Sequence, residues 1–430
     1  MRLGIDDQAI LDGRDGPVLQ KVMKTLVMYG NVLGAETLVP IEGSGHFAIH
    51  HVLPGIGPRL QMLEELVSAG LTTKFPFTLD PRPPLDFENL ALTQQQQDTF
   101  REMFADQKQF EAYMSQLGLR DDEAYSCTPY LPEVGNIPRR GQVLAWSESS
   151  CVVFANSVLG ARTNRNAVII DLMSNIIGKT PYTGLLTDEG RKASWLIDVR
   201  TSALPHPQLL GGVIGKRVVD AVPWIAGLER FLEEDIGGST TDYLKEMGAA
   251  CAALGAVGLY HVENRTPEAR DMGRSLLRPD FQTVIVDDDV IENALQSYPV
   301  MWKKPESRPE RCIIGCPHLS LREIYRWLKQ IDETLASHGK KTVALSVTMC
   351  AAPQVLKEFS KDKAATDRLT ELGIKLSPTC PEAFMGNPHC SRESVMTSSN
   401  KLRAYSSAKL QRDEALLNAI ATGSSDPERL

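Results

Sequence analysis

Apolar residues recur at helical spacing in the first third of the chain. Val18, Leu19, Val22, Leu26 and Val27 predict a helix over 18–28, and a second amphipathic run predicts another over 60–69. Extended segments alternate with them: Thr37-Leu-Val-Pro-Ile, and Lys74-Phe-Pro-Phe-Thr-Leu-Asp-Pro, a strand closed by a turn. This alternation selects an α/β class, with parallel-type sheets flanked by helices. The glutamines at 94–97 lie in a polar helical stretch expected on the surface.

Further along, Cys127-Thr-Pro-Tyr-Leu-Pro is non-helical because of its two prolines. A helix is predicted from near Ser149 to near Gly160, followed by the polar Arg162-Thr-Asn-Arg. The most apolar stretch, 247–262, reads as a buried helix leading into a strand. Uninterrupted apolar runs at 283–286, 311–315 and 342–347 predict buried parallel strands. Over 320–338 a helix carries the stripe Leu321, Ile324, Tyr325, Leu328, Ile331 and Leu335, with Ser320 and Glu323 as a capping box. The expected division is an N-terminal and central region over 1–300, a C-terminal domain over 301–422 and a frayed tail over 423–430.

Composition narrows the class. A chain of 430 residues suggests two to three domains of ~150 residues. Hydrophobic residues at 42% and charged residues at 23% match an ordinary globular protein, so a sizeable core is expected. The net charge of −8 argues against a nucleic-acid surface, which needs a basic face, but leaves room for a local cationic pocket. No apolar run follows Met1-Arg-Leu-Gly-Ile-Asp-Asp, and 247–262 is shorter than the ~20 residues of a membrane span. A cytoplasmic setting is expected, with the eight cysteines as buried thiols, metal ligands or nucleophiles rather than disulfides.

Several segments can carry chemistry. Gly315-Cys316-Pro-His318 falls at a strand-to-helix junction, where a helix N-terminus favours a thiolate. Cys380 follows another expected strand, and Cys127 lies in its proline-bounded loop. Three separated loop cysteines suit a cluster held by three thiolates with one iron left open, although spacing alone does not select these three from eight. Thr397-Ser-Ser-Asn-Lys-Leu-Arg-Ala-Tyr is a run of donors around Lys401 and Arg403, either an anion pocket or a solvated helix start. In Gly43-Ser-Gly-His46 the glycines permit close approach of a ligand, so His46 is a candidate for substrate contact. His261, at the end of an apolar run, reads as a core histidine.

Taken together, these segments resemble the aconitase X family. The resemblance rests on Cys127-Thr-Pro-Tyr-Leu, Ala145-Trp-Ser-Glu-Ser-Ser, Phe154-Ala-Asn-Ser-Val-Leu-Gly-Ala-Arg-Thr-Asn, Gly315-Cys-Pro-His-Leu-Ser and the 397–405 run. It implies an aconitase-like multi-domain body with an iron–sulfur cluster on Cys127, Cys316 and Cys380. It also implies catalytic roles for Ser149, His318 and Lys401, and substrate contacts from Asn156, Arg162, Asn164, Ser399 and Lys401. The family's known reactions are dehydrations of cis-3-hydroxy-L-proline and of 5-phosphomevalonate, and the first is the expected substrate here. A separate small swivelling-domain subunit is implied as partner.

Departures from the family pattern are Asp80 in place of an expected Asn, Cys151 in place of a small residue, and weak likeness just after Cys380 and over 187–207. Two other readings stay open: a zinc or mononuclear iron lyase on the same thiolates, and a non-catalytic partner-binding subunit. Cys151, Cys251, Cys312, Cys350 and Cys390 are read as core thiols at least.

Overall fold

The structure is a computed structural model describing residues 1–49, 56–234 and 237–424. Most of the expected tail, 425–430, lies outside the described residues. Two parallel sheets dominate. The middle of the chain forms a four-stranded sheet in the spatial order His261–Val262, Pro223–Ala226, Ala193–Val199, Leu277–Val286. The C-terminal part forms a five-stranded sheet in the order Ile374–Ser377, Ser346–Ala351, Arg311–Leu319, Val395–Thr397, Lys409–Leu410. Strands that run parallel need crossovers, and helices supply them, which is the α/β architecture expected from the alternating pattern. The N-terminal part is more helical. Its strands are short: Leu38–Pro40 pairs antiparallel with Lys179–Pro181, and His46–Phe47 pairs with Thr78–Leu79.

Apolar periodicity located the long helices well. Pro17–Val32, Ile56–Ser68, Ser149–Ser157 and Leu321–Ser337 fall where the pattern placed them, whereas Gly238–Leu254 begins well before the apolar stretch 247–262 that predicted it. Ser320 and Glu323 form the reciprocal capping box. Other elements differ. The strand expected at 342–347 begins only at Ser346, because the Val343 N–H donates to the Leu372 carbonyl and the Ala344 N–H to that of Ile420, each at a helix end. The glutamine run is not wholly on the surface: Gln96 is buried, closes a capping box with Thr93 and donates to Glu393.

One irregularity shapes the site. Opposite Ser346–Ala351, Ile314 pairs with Met349 and Leu319 with Ala351, so Gly315, Cys316, Pro317 and His318 stand against Cys350 alone. The extra residues bulge from the sheet. Gly315 makes this geometry, with φ +104, and a Cβ there would lie 2.2 Å from the Cys350 carbonyl oxygen.

Candidate active site

Three positions at the carboxyl ends of the C-terminal sheet converge. Cys316 sits in the bulge, Cys380 follows Ile374–Ser377, and Lys401 follows Val395–Thr397. Carboxyl ends of parallel strands are where open α/β sheets collect ligands. Cys127 approaches from the N-terminal side, where its Sγ accepts the His318 N–H at 3.2 Å. All three thiols are buried and free. They share one neighbourhood: Cys127 feels the charge of Cys316, and Cys380 feels both others.

The strand-to-helix junction falls where the sequence placed it, but the strand continues to Leu319 and Ser320 is the N-cap, so Cys316 does not itself head a helix. Cys380 does. It caps Pro381–Met385, with the Ala383 N–H directed at its Sγ at 3.5 Å. Burial pushes the Cys316 thiol up to about 12, against the pull of Lys401. It pushes Cys127 well above the ordinary thiol range, again opposed by Lys401 and reinforced by Glu148. Cys380 is raised by burial and then by Glu382. A bound cation would reverse these shifts.

Lys401 and Glu148 form a buried ion pair, Nζ to Oε1 at 2.5 Å. The other Glu148 oxygen accepts from Ser150 Oγ at 2.5 Å and from the Cys151 N–H at 2.6 Å, which caps the Ser149–Ser157 helix. Burial alone would raise the Glu148 carboxyl, but the Lys401 charge and these hydrogen bonds hold it below its ordinary value. Burial likewise opposes charge on Lys401, yet Glu148 and the cysteines keep it well above the usual lysine range. Glu148 escaped attention in the sequence, although it stands within the Ala145-Trp-Ser-Glu-Ser-Ser string beside half-buried Ser149.

His318 is fully buried. Its Nε2 faces the Thr379 carbonyl at 3.1 Å and so carries the proton, leaving Nδ1 as an acceptor with no partner among the described residues. Burial lowers its pKa to about 4, so the ring is neutral at physiological pH. Ser399 caps the Asn400–Tyr405 helix, its Oγ accepting the Leu402 N–H at 3.0 Å while donating to the Cys316 carbonyl.

His46 sits one layer back. Thr78 Oγ1 accepts from Asn136 and shares a hydrogen bond with His46 Nδ1 at 2.9 Å, while His46 Nε2 faces Asp80 Oδ1, 3.4 Å away. Cys151 braces the site from behind, its Sγ donating to the Cys127 carbonyl at 3.2 Å.

Asn156, Arg162 and Asn164 are gathered elsewhere. Asn156 bonds Thr163, Gly258 and Arg191. Arg162 bonds the Leu186 carbonyl and Asp188, and Asn164 bonds Thr183 and Leu185. These contacts surround the Arg191–Glu268 ion pair rather than the cysteines. His261 belongs to the same group, its Nε2 on the Arg191 carbonyl at 2.8 Å. A cavity of about 380 Å³ has Cys316, Ser399, Glu246, Tyr243 and Trp327 in its wall, but not Cys127, Cys380 or Lys401. It therefore borders the site rather than defining it.

Among the described residues, no three His, Cys, Asp or Glu side chains are placed to hold a single metal ion. A cluster makes a different demand. Its cysteines bind separate irons and stand around a volume rather than on one point. Three buried thiols, amide donors directed at two of the sulfurs, a nearby cation and an unpartnered imidazole nitrogen fit such a group.

Family models described as the aconitase X first, second and third domains match residues 1–189, 193–296 and 310–420. The chain is 33% identical to the phosphomevalonate dehydratase large subunit of Thermococcus kodakarensis over 362 residues, 83% of each chain. It is 28% identical to the cis-3-hydroxy-L-proline dehydratase of Pseudomonas aeruginosa over 332 residues, 75% of this chain and 53% of that one. A crystal structure of Thermococcus kodakaraensis aconitase X, holo-form, matches with a TM-score of 0.79 at 30% identity, covering 98% of this chain and 100% of the other.

Proposed function

Because the chain belongs to the aconitase X family, we propose that it is the large subunit of a two-chain hydro-lyase that dehydrates a small hydroxylated carboxylic acid. The observation that carries this reading is the gathering of Cys127, Cys316 and Cys380 beside the buried Lys401–Glu148 pair. Those three cysteines would hold an iron–sulfur cluster, which when bound supplies a Lewis-acidic iron for a leaving hydroxyl.

The chain's own groups divide the remaining work. Lys401 binds the substrate carboxylate, and Glu148 keeps that lysine charged and aimed. His318 Nδ1, a neutral acceptor, takes a hydrogen bond from a substrate N–H or O–H. Ser149 and Ser399 stand at helix starts on either side of the pair. The named relatives called large subunits support a separate small subunit, which closes the site.

The charge inventory favours an amino-acid substrate of the cis-3-hydroxy-L-proline type. Lys401, the cation that acts on Cys127, is already paired with Glu148, so its charge is shared before any phosphate arrives. An ammonium group suits that balance better than a phosphate. The competing reading, 5-phosphomevalonate, draws on the higher identity and fuller coverage of the phosphomevalonate dehydratase subunits. Anaerobically purified complex, assayed for iron and sulfide and then for water loss from each acid, separates them. Metal-loaded complex that dehydrates neither acid, with iron retained in Cys127→Ser, Cys316→Ser and Cys380→Ser, would overturn the proposal.

A further inference from the structure

The helix carrying Lys401 is held from the middle of the chain. Pro207–Val218 packs tightly on Gly238–Leu254, since a Cβ at Gly211 would lie 2.2 Å from the Met247 carbonyl oxygen. The same helix admits Asn400, whose Nδ2 would lie 2.3 Å from a Cβ at Gly212. Gln208, in the first turn of Pro207–Val218, is 1% exposed. Its Oε1 accepts the N–H of Asn400 at 2.9 Å and that of Lys401 at 3.4 Å. Its Nε2 donates to Glu246 Oε2 at 2.5 Å and reaches the Cys316 carbonyl at 3.5 Å. Its main-chain carbonyl accepts Asn400 Nδ2 at 2.9 Å.

Helix starts leave N–H groups that need acceptors. Ser399 takes that of Leu402, and Gln208 takes the two before it. An amide can be turned either way round, and only one orientation presents oxygen to the helix. Main-chain N–H groups only donate, so those of Asn400 and Lys401 draw Oε1, and Nε2 is left facing Glu246 and the Cys316 carbonyl.

We propose that Gln208 is a positioning residue, braced by Glu246, that fixes Lys401 relative to Cys316. Its effect on turnover rests on the function proposed above, whereas its hold on the helix start does not. The test uses the two-subunit, metal-loaded complex with Gln208→Met, Gln208→Glu, and Gln208→Glu combined with Glu246→Gln. Gln208→Met keeps the bulk and loses the hydrogen bonds. Gln208→Glu sets two carboxylates face to face, and the added Glu246→Gln restores a donor–acceptor pair.

In Gln208→Met we expect faster amide exchange confined to the peptide 397–406, with iron content as in the native complex and a melting midpoint lower by only a few degrees, since buried N–H groups lose their acceptor. We expect kcat/KM to fall about 100-fold through both a lower kcat and a higher KM, since Lys401 holds the substrate carboxylate in place. The double variant should recover most of the kcat lost in Gln208→Glu. Unchanged exchange at 397–406, exchange raised across the whole chain, iron lost in step with kcat, or no recovery in the double variant would each overturn the proposal. A native complex inactive on both acids would count against the function alone, and the exchange pattern would still decide whether Gln208 holds the helix start.

Discussion

Glu148 caps a helix with one carboxylate oxygen and binds an ammonium with the other. Its partner lies 253 positions away, so a glutamate heading a helix reads from the sequence as an ordinary solvated cap. Lys401 was legible because it stands in a run of donors. Removing one member of a buried pair strands the other charge. Glu148→Gln should therefore lower the unfolding free energy of the metal-free chain by about 3–5 kcal/mol. Glu148→Gln with Lys401→Met should cost less than the two single losses summed, and strictly additive urea-unfolding energies would show that the charges do not interact. The pH dependence has a definite sign. The depressed Glu148 pKa contributes stability that is present above the ordinary carboxylate value of about 4.3 and is lost as pH falls through the lower folded value. The raised Lys401 pKa contributes stability that is present below about 10.4 and is lost as pH climbs through the higher folded value. The double variant should accordingly show a shallower loss of stability at both extremes.

At the scale of elements, the bulge in Arg311–Leu319 is what turns a core strand into a site. Glycine before a cysteine at the end of an apolar run hinted at this place. The junction and its capping Ser320 were legible, but the strand runs through Cys316, so the helix N-terminus does not lie at that thiol. A capping box is a local pattern and can be read locally. A bulge depends on the neighbouring strand, and nothing near Gly315 in the sequence announces Cys350. The close approach gives a direct test. Gly315→Ala would press a Cβ into the Cys350 carbonyl at a positive φ. It should destabilise the chain by roughly 1–3 kcal/mol, and by displacing Cys316 it should also weaken iron binding. An alanine variant with native stability and native iron content would mean that the strand shifts freely and that the bulge is not held by this contact. The same region explains Lys245, which grips the His318 carbonyl and the capping Glu323 from the middle of the chain. A buried lysine in an apolar helix shows no such purpose until the fold places it.

The whole molecule arranges its cysteines unevenly. Cys316 lies in one strand and Cys380 follows another of the same sheet, with Ser346–Ala351 between them. Cys127 comes from the N-terminal side, where Tyr125 bridges to Leu79. The sequence exposed the α/β alternation, since period and run length are local. Spacing did not expose which cysteines meet, since that depends on how the N-terminal part lies against the C-terminal sheet, and only the family resemblance named the three. A group bound by all three would link those two parts, and whatever binds only the folded state stabilises it by RT ln(1 + [L]/Kd), about 4 kcal/mol at a thousandfold excess over Kd. Metal-loaded chain should therefore melt several degrees above metal-free chain. Cys127→Ser and Cys316→Ser should each remove that increment while leaving the metal-free midpoint nearly in place. Cys251→Ser, a thiol raised by burial alone within Gly238–Leu254, should keep it. Calorimetry on matched loaded and stripped samples reads the difference directly. Equal midpoints with and without metal would mean that the three cysteines do not bridge the two parts. An increment lost equally in Cys251→Ser would mean that packing of the core, rather than ligation, governs it.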